Sequence, residues 1–151
     1  VEWIGLAARD SLRLEAGLCL HGQDISAETT PVEAALLWAV PTPVRETGDF
    51  VGAEALRAAI TAGAAQKRVG LKPEGRQPVR AGATLLDEDG NVAGRVTSGG
   101  FGPSAGHPVA MGYVNVDLAR AGTQLAAEVR GTRVPVAVHA LPFTPHRYLK
   151  G

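Results

Sequence analysis

The chain has one cysteine and one methionine in 151 residues, and no surplus of either charge, since 15 Lys and Arg balance 15 Asp and Glu. Each shortage excludes something. Cys19 on its own cannot close an internal disulfide, and there is no pair of thiols for a structural zinc. A balanced charge removes the long-range field that draws a protein to nucleic acid or to an anionic membrane, so a charged ligand must be read by individual side chains. No apolar run approaches the roughly 20 residues that span a bilayer, and no basic-then-apolar leader opens the chain. Also missing are a paired-His metal spacing, a nucleophile elbow and a Walker loop. No catalytic constellation is complete, no metal ligands are assigned, and neither nucleic acid nor membrane is expected as a partner.

What is present suffices for a core, with 45% hydrophobic residues. The pattern predicts a helix over Leu6–Ala16, with Gly17 taking the left-handed position that ends it. Arg9 and Arg13 stand four apart on that helix, flanked by Asp10 and Glu15, and without further information read as solvated surface charge. Thr30 before Pro31, with Glu33 in the first turn, predicts the start of a short helix that Pro41 and Pro43 close, although "LLWAV" reads equally well as a strand. A further helix is expected from Gly52 to Ala62, stopped by Gly63.

From Gln66 onward the texture changes. "KRVGLK", "ATLLD", "VAGRVTS", "VAMGYVNV", "TQLAAEVR" and "VPVAVHAL" are short apolar runs, with "DEDGN" and "RGT" as turns among them. The expected fold is therefore a mixed α+β N-terminal piece over residues 1–65, followed over 66–151 by an all-β, six-stranded antiparallel barrel or Greek-key domain with a docking tail. A 65-residue α+β piece is too small to cover both faces of a sheet, and the only methionine is Met111, so a preceding segment is expected.

Individual residues say less. Cys19, in "GLCL", reads as a buried thiol. His21, His107, His139 and His146 are scattered singly, which favours ordinary surface or core roles. The glycine-rich "VTSGGFGPSAGHP", residues 96–108, reads as a connection between strands. The terminal "LPFTPHRYLKG" carries Phe143, Tyr148 and two prolines, enough to dock against the body.

Longer stretches carry a resemblance. "GLAARDSLRLEAGLCLHGQDI", "TTPVEAALLWAV", "DFVGAEAL", "KRVGL", "EGRQPVRAGATLLDEDGNVAGRVTSGGFGPSAGHPVAMGYV" and "LPFTPHRY" together resemble the C-terminal part of the aminomethyltransferase, or T-protein, family of the glycine cleavage system. The resemblance implies the end of a folate-binding domain followed by a C-terminal barrel. It implies an enzyme that takes the aminomethyl group from the lipoyl arm of H protein, transfers its methylene to tetrahydrofolate, and releases ammonia with 5,10-methylenetetrahydrofolate. It implies location in the bacterial cytoplasm, or the mitochondrial matrix in a eukaryote.

Two family positions carry over, both as folate-binding residues: Arg9 in "ARDSLR" and Tyr148 in the terminal "F-x-P-x-x-Y". Asp10 and Arg13 stay as structural charges of the helix. The family's essential Asp belongs to the N-terminal part, so no catalytic residue is assigned here, and this chain alone is expected to be inactive. Ala35 and Ala121 stand where Gly and Pro are expected, and Ala105 where Leu is usual. One alternative is the folate-binding half of a sarcosine or dimethylglycine dehydrogenase, where an "LRLEKGY"-like stretch is expected. Another is a non-catalytic folate-binding relative, expected to have lost "ARDSLRLEAG" and "TTPVEA". Both signatures are intact.

Overall fold

The computed structural model describes residues 3–146. Helix α1, Leu6–Glu15, ends as its sequence predicts. Gly17 takes φ +70, its N–H donates to the Leu14 carbonyl at 3.0 Å, and the Leu18 N–H reaches back to Arg13 at 2.8 Å. This is a Schellman closure, and it needs a residue that tolerates the left-handed region. Leu14 on the inner face packs with Val109 and Met111 of the barrel, and Leu141 and Phe143 close over the same cluster.

The segment after Thr30 departs from expectation. Its N-terminal signal is real: the Thr30 N–H donates to Glu33 Oε1 at 2.5 Å and the Glu33 N–H to Thr30 Oγ1 at 3.3 Å, a reciprocal capping box. Yet only one turn forms, without an α-helix or a strand, before a 3₁₀ turn at Leu37–Ala39. Ala35 stops it by entering the left-handed region at φ 55, with Leu36 N–H on the Pro31 carbonyl at 2.8 Å. An alanine does there what glycine usually does. Helix α2, Thr42–Thr47, then begins where Pro41 and Pro43 were expected only to end structure, because proline in a first turn forfeits no helical hydrogen bond. Helix α3, Ala53–Ala62, lies between Gly52 and Gly63 as expected.

Six strands form a closed antiparallel barrel in the order β1-β4-β3-β2-β5-β6, where β1 is Gln66–Pro73, β2 Thr84–Leu86, β3 Val92–Gly102, β4 His107–Asn115, β5 Gln124–Val129 and β6 Thr132–His139. All six correspond to the short apolar runs. Alternating side chains such as Val69, Leu71, Leu85, Val96, Val114 and Val136 point into one buried core. Arg130 and Gly131, at φ 51 and 79, make the tight β5–β6 turn whose twist suits a hairpin.

The glycine-rich stretch is not a loop. β3 continues to Gly102 and β4 starts at His107, so most of it belongs to a long hairpin. Gly99 serves close packing: a Cβ there would overlap the Val79 carbonyl oxygen, where another part of the chain crosses the strand. The register shifts between Val96 and Ser98, making Thr97 the extra residue of a bulge. α1 rests on β3 and β4 beside that bulge.

Candidate functional site

Between α1 and the segment after β6 lies a cleft of about 610 Å³. Arg9, Leu12 and Leu18 form the helix side, Thr144, Pro145 and His146 the opposite side, and Ser104 of the β3–β4 turn lies between. Arg9 is exposed, and no carboxylate pairs with it among the described residues. Its planar donors are open to a ligand. Tyr148 lies outside the described residues. The segment that leads to it borders the cleft that Arg9 lines.

What holds the two sides at this separation is Glu15. Its carboxylate Oε1 accepts from the Ser104 and Ala105 N–H groups at 2.8 and 2.7 Å, and its carbonyl accepts from the Phe143 N–H at 2.9 Å. One buried acid therefore joins the end of α1, the β3–β4 turn and the C-terminal segment. As ordinary helix charge in sequence, Glu15 offered no sign of this.

Arg13 corrects the surface reading more sharply. It is structural, as expected for a charge of the helix, but it is buried rather than solvated. Nη1 donates to Asp24 Oδ2 at 2.5 Å and to Ser98 Oγ at 2.9 Å, Nη2 to Gln23 Oε1 at 3.1 Å, and Nε to Asp10 Oδ1 at 2.8 Å. Asp24 in turn accepts from Thr97 Oγ1 at 2.6 Å and from the Leu20 N–H at 2.9 Å. The β3 bulge aims Thr97 and Ser98 at this pair. Arg9 and Arg13, indistinguishable by helical spacing, thus do different work: one faces the cleft and the other locks the helix to the barrel.

The lesser candidates fall as follows. The Tyr113 hydroxyl donates to the Asp24 carbonyl at 2.8 Å, and burial, more than any neighbouring charge, pushes its pKa up to about 12. Burial also raises the Cys19 thiol, with the Arg68 charge opposing it, so thiolate formation is disfavoured. His107 and His139 bond neighbouring carbonyls, and His139 stacks on Phe143. Among the described residues no group of His, Cys, Asp and Glu could hold a metal ion, and no helix is long and apolar enough to cross a membrane.

The cleft's residues fit the tetrahydrofolate that the sequence resemblance implies. Leu12, Leu18 and Ile4 offer apolar walls for a ring system, and Arg9 offers charged donors for its polar edge or a carboxylate.

Comparison with known proteins gives the family of the chain. The family model described as the glycine cleavage T-protein C-terminal barrel domain matches residues 66–144, and the GCVT N-terminal domain model matches residues 1–43. A mitochondrial aminomethyltransferase from Gallus gallus is 49% identical over 144 residues, covering 95% of this chain and 36% of the relative. One from Flaveria trinervia is 45% identical over 150 residues, covering 99% and 37%. The crystal structure of the glycine cleavage system aminomethyltransferase T from Bartonella henselae superposes with a TM-score of 0.95 at 59% identity, covering 99% of this chain and 41% of that one. The chain thus spans little more than a third of the length of these curated relatives.

Proposed function

The chain belongs to the glycine cleavage T-protein family, and on that premise we propose that it supplies the folate-binding edge of an aminomethyltransferase. The reaction is transfer of the methylene of the aminomethyl group, carried on the lipoyl arm of H protein, to tetrahydrofolate, with release of ammonia. Tetrahydrofolate, when bound, supplies the nitrogens that accept the methylene. The residues of this chain bind and orient it: Arg9 as a charge-assisted donor, and Tyr148 as a hydroxyl on an apolar ring. Glu15 keeps Arg9 and the segment before Tyr148 on opposite sides of one cleft. The parent enzyme works in the bacterial cytoplasm or the mitochondrial matrix.

The observation that carries this reading is the cleft shared by Arg9 and residues 144–146. It is tested by titrating tetrahydrofolate calorimetrically into the chain and into its Arg9→Ala and Tyr148→Phe variants. Loss of affinity in both variants supports the assignment, and unchanged affinity in both overturns it. A second assay, ammonia release dependent on H protein and tetrahydrofolate, addresses the chemistry. This chain alone is inactive there on the proposed reading, because the family's essential Asp belongs to the N-terminal part.

A further inference from the structure

A second hollow, of about 470 Å³, adjoins the cleft and shares Ala16, Leu18 and His146 with it. Its charge is one-sided. Lys67, Arg68, His139 and His146 line it, and among its described lining residues there is no Asp or Glu. With basic side chains and no acidic one among them, these residues give the hollow a positive potential.

Arg68 sets the chemistry. It is only 6% exposed, on β1, and none of its nitrogens lies within ion-pair distance of a carboxylate among the described residues. Its partners are uncharged: Nε donates to the Ala34 carbonyl at 2.9 Å, and Nη1 to the Gly17 carbonyl at 3.0 Å and to Met111 Sδ at 3.1 Å. Nη2 has no hydrogen-bond partner among those residues. Glu33, whose carbonyl accepts the Arg68 backbone N–H at 2.7 Å, turns one carboxylate oxygen to the Thr30 N–H and makes no ion pair with Arg68. The end of α1, with Gly17, offsets part of the guanidinium charge through the helix dipole. A guanidinium cannot lose its proton to escape burial, so the remaining charge calls for an anion.

We propose that this hollow is a carboxylate-binding site, in which the ligand supplies the counterion Arg68 lacks and Lys67 holds a second carboxylate at the rim. The ligand is an oligocarboxylate with an apolar stem, the stem lying along Leu36 and Leu141. Such a chain has two sources: the acidic end of a molecule whose ring occupies the adjoining cleft, or a separate small acid. The site itself does not depend on the folate reading, and only the first source rests on it.

The experiment uses the 151-residue chain at low ionic strength, with triglutamate as the probe. Trp38 lines the hollow, and Trp3→Phe leaves it as the sole tryptophan and a local fluorescence reporter. Triglutamate is expected to change Trp38 emission saturably, and Lys67→Glu to weaken binding by at least about tenfold, the factor expected when a charge-assisted hydrogen bond becomes a repulsion. Lys67 is exposed, so this variant is expected to fold, and a thermal melt verifies it. Absence of saturable binding, or equal affinity in Lys67→Glu, overturns the site. A second arm compares tetrahydrofolate carrying one and three glutamates. Tighter binding of the triglutamyl form, lost in Lys67→Glu and retained in Arg9→Ala, identifies the tail of the cleft ligand as the source. Triglutamate binding without that preference identifies a separate acid. Failure of both folates to bind sinks the folate reading and leaves the triglutamate result to decide the hollow.

Discussion

Arg13 Nη1 and Asp24 Oδ2 meet at 2.5 Å beneath α1, and the Asp24 side chain is wholly buried. Every oxygen and nitrogen of this pair has a further partner on the α1 helix, the following loop or the β3 bulge. Removing either partner strands a buried charge, at a cost of about 3 to 5 kcal/mol. Arg13→Ala and Asp24→Ala are each expected to lower the free energy of urea unfolding by that order. A double variant costing much less than the sum of the two would verify the coupling.

Arg9→Ala, one helical turn away, is expected to leave urea unfolding within about 0.5 kcal/mol of the parent, because it is an exposed residue without an ion-pair partner among the described residues. On the proposed function its effect is expected in ligand binding instead, as a loss of about 1 to 3 kcal/mol in tetrahydrofolate affinity. Measuring both quantities on the same variant separates the two arginines. Equal losses of tetrahydrofolate affinity in folded Arg9→Ala and Arg13→Ala proteins would mean that the helix presents a general positive surface.

Ala35 holds a left-handed conformation at φ 55, which costs a residue with a Cβ about 1 to 2 kcal/mol. Glycine relieves that strain, and its greater freedom in the unfolded chain takes back part of the gain. Ala35→Gly is therefore expected to stabilise the protein by about 0.5 to 1 kcal/mol, read as a higher urea midpoint at constant slope. Destabilisation would show that the Ala35 methyl group contributes packing that outweighs the backbone strain.

Tyr113 titrates at about 12, against an ordinary value near 10, because burial disfavours the phenolate. The folded state then holds the phenolic proton more tightly than the unfolded state. The contribution is fully present below about pH 10 and is lost as pH rises through about 12. Stability is expected to fall across that window. Tyr113→Phe should flatten this part of the profile, and ultraviolet difference spectroscopy of the folded protein should show one tyrosine ionising late.

Gly99→Ala forces a methyl group into the Val79 carbonyl oxygen, a backbone atom that cannot turn aside. The expected loss is at least about 3 kcal/mol, the upper range of overpacking. A methyl group added at Gly106, in the β3–β4 turn, would meet nothing within 4 Å, but the backbone there has φ +74, so Gly106→Ala tests backbone strain without a clash. A smaller loss there than at Gly99 distinguishes steric contact from conformational preference.

The limits of sequence reading fall at identifiable residues. "RGT" announced its turn because a tight hairpin needs left-handed backbone at the residues Arg130 and Gly131 now occupy. "VTSGGFGPSAGHP" misled because glycine marks both flexible connections and places where chains touch, and only the crossing of Val79 over Gly99 distinguishes them. The Thr30 signal was correct as a cap and wrong as a helix, since a capping box fixes where a turn starts and not how far it runs.

By itself the sequence determined whatever depends on neighbours along the chain: the Gly17 stop of α1, the alternation that gives each strand one buried face, and the motifs that place the chain in its family. Such features are written in backbone preference and in periods of two or 3.6 residues. Only the tertiary structure decided the roles of individual charges. Arg13 meets Ser98 from 85 positions away, Glu15 meets Ala105 from 90, and Arg68 meets Ala34 from 34. No local period encodes such meetings, because barrel closure sets them. The same closure buries Arg13 against an acid and Arg68 among neutral carbonyls, while Arg9 on the same helix as Arg13 stays exposed.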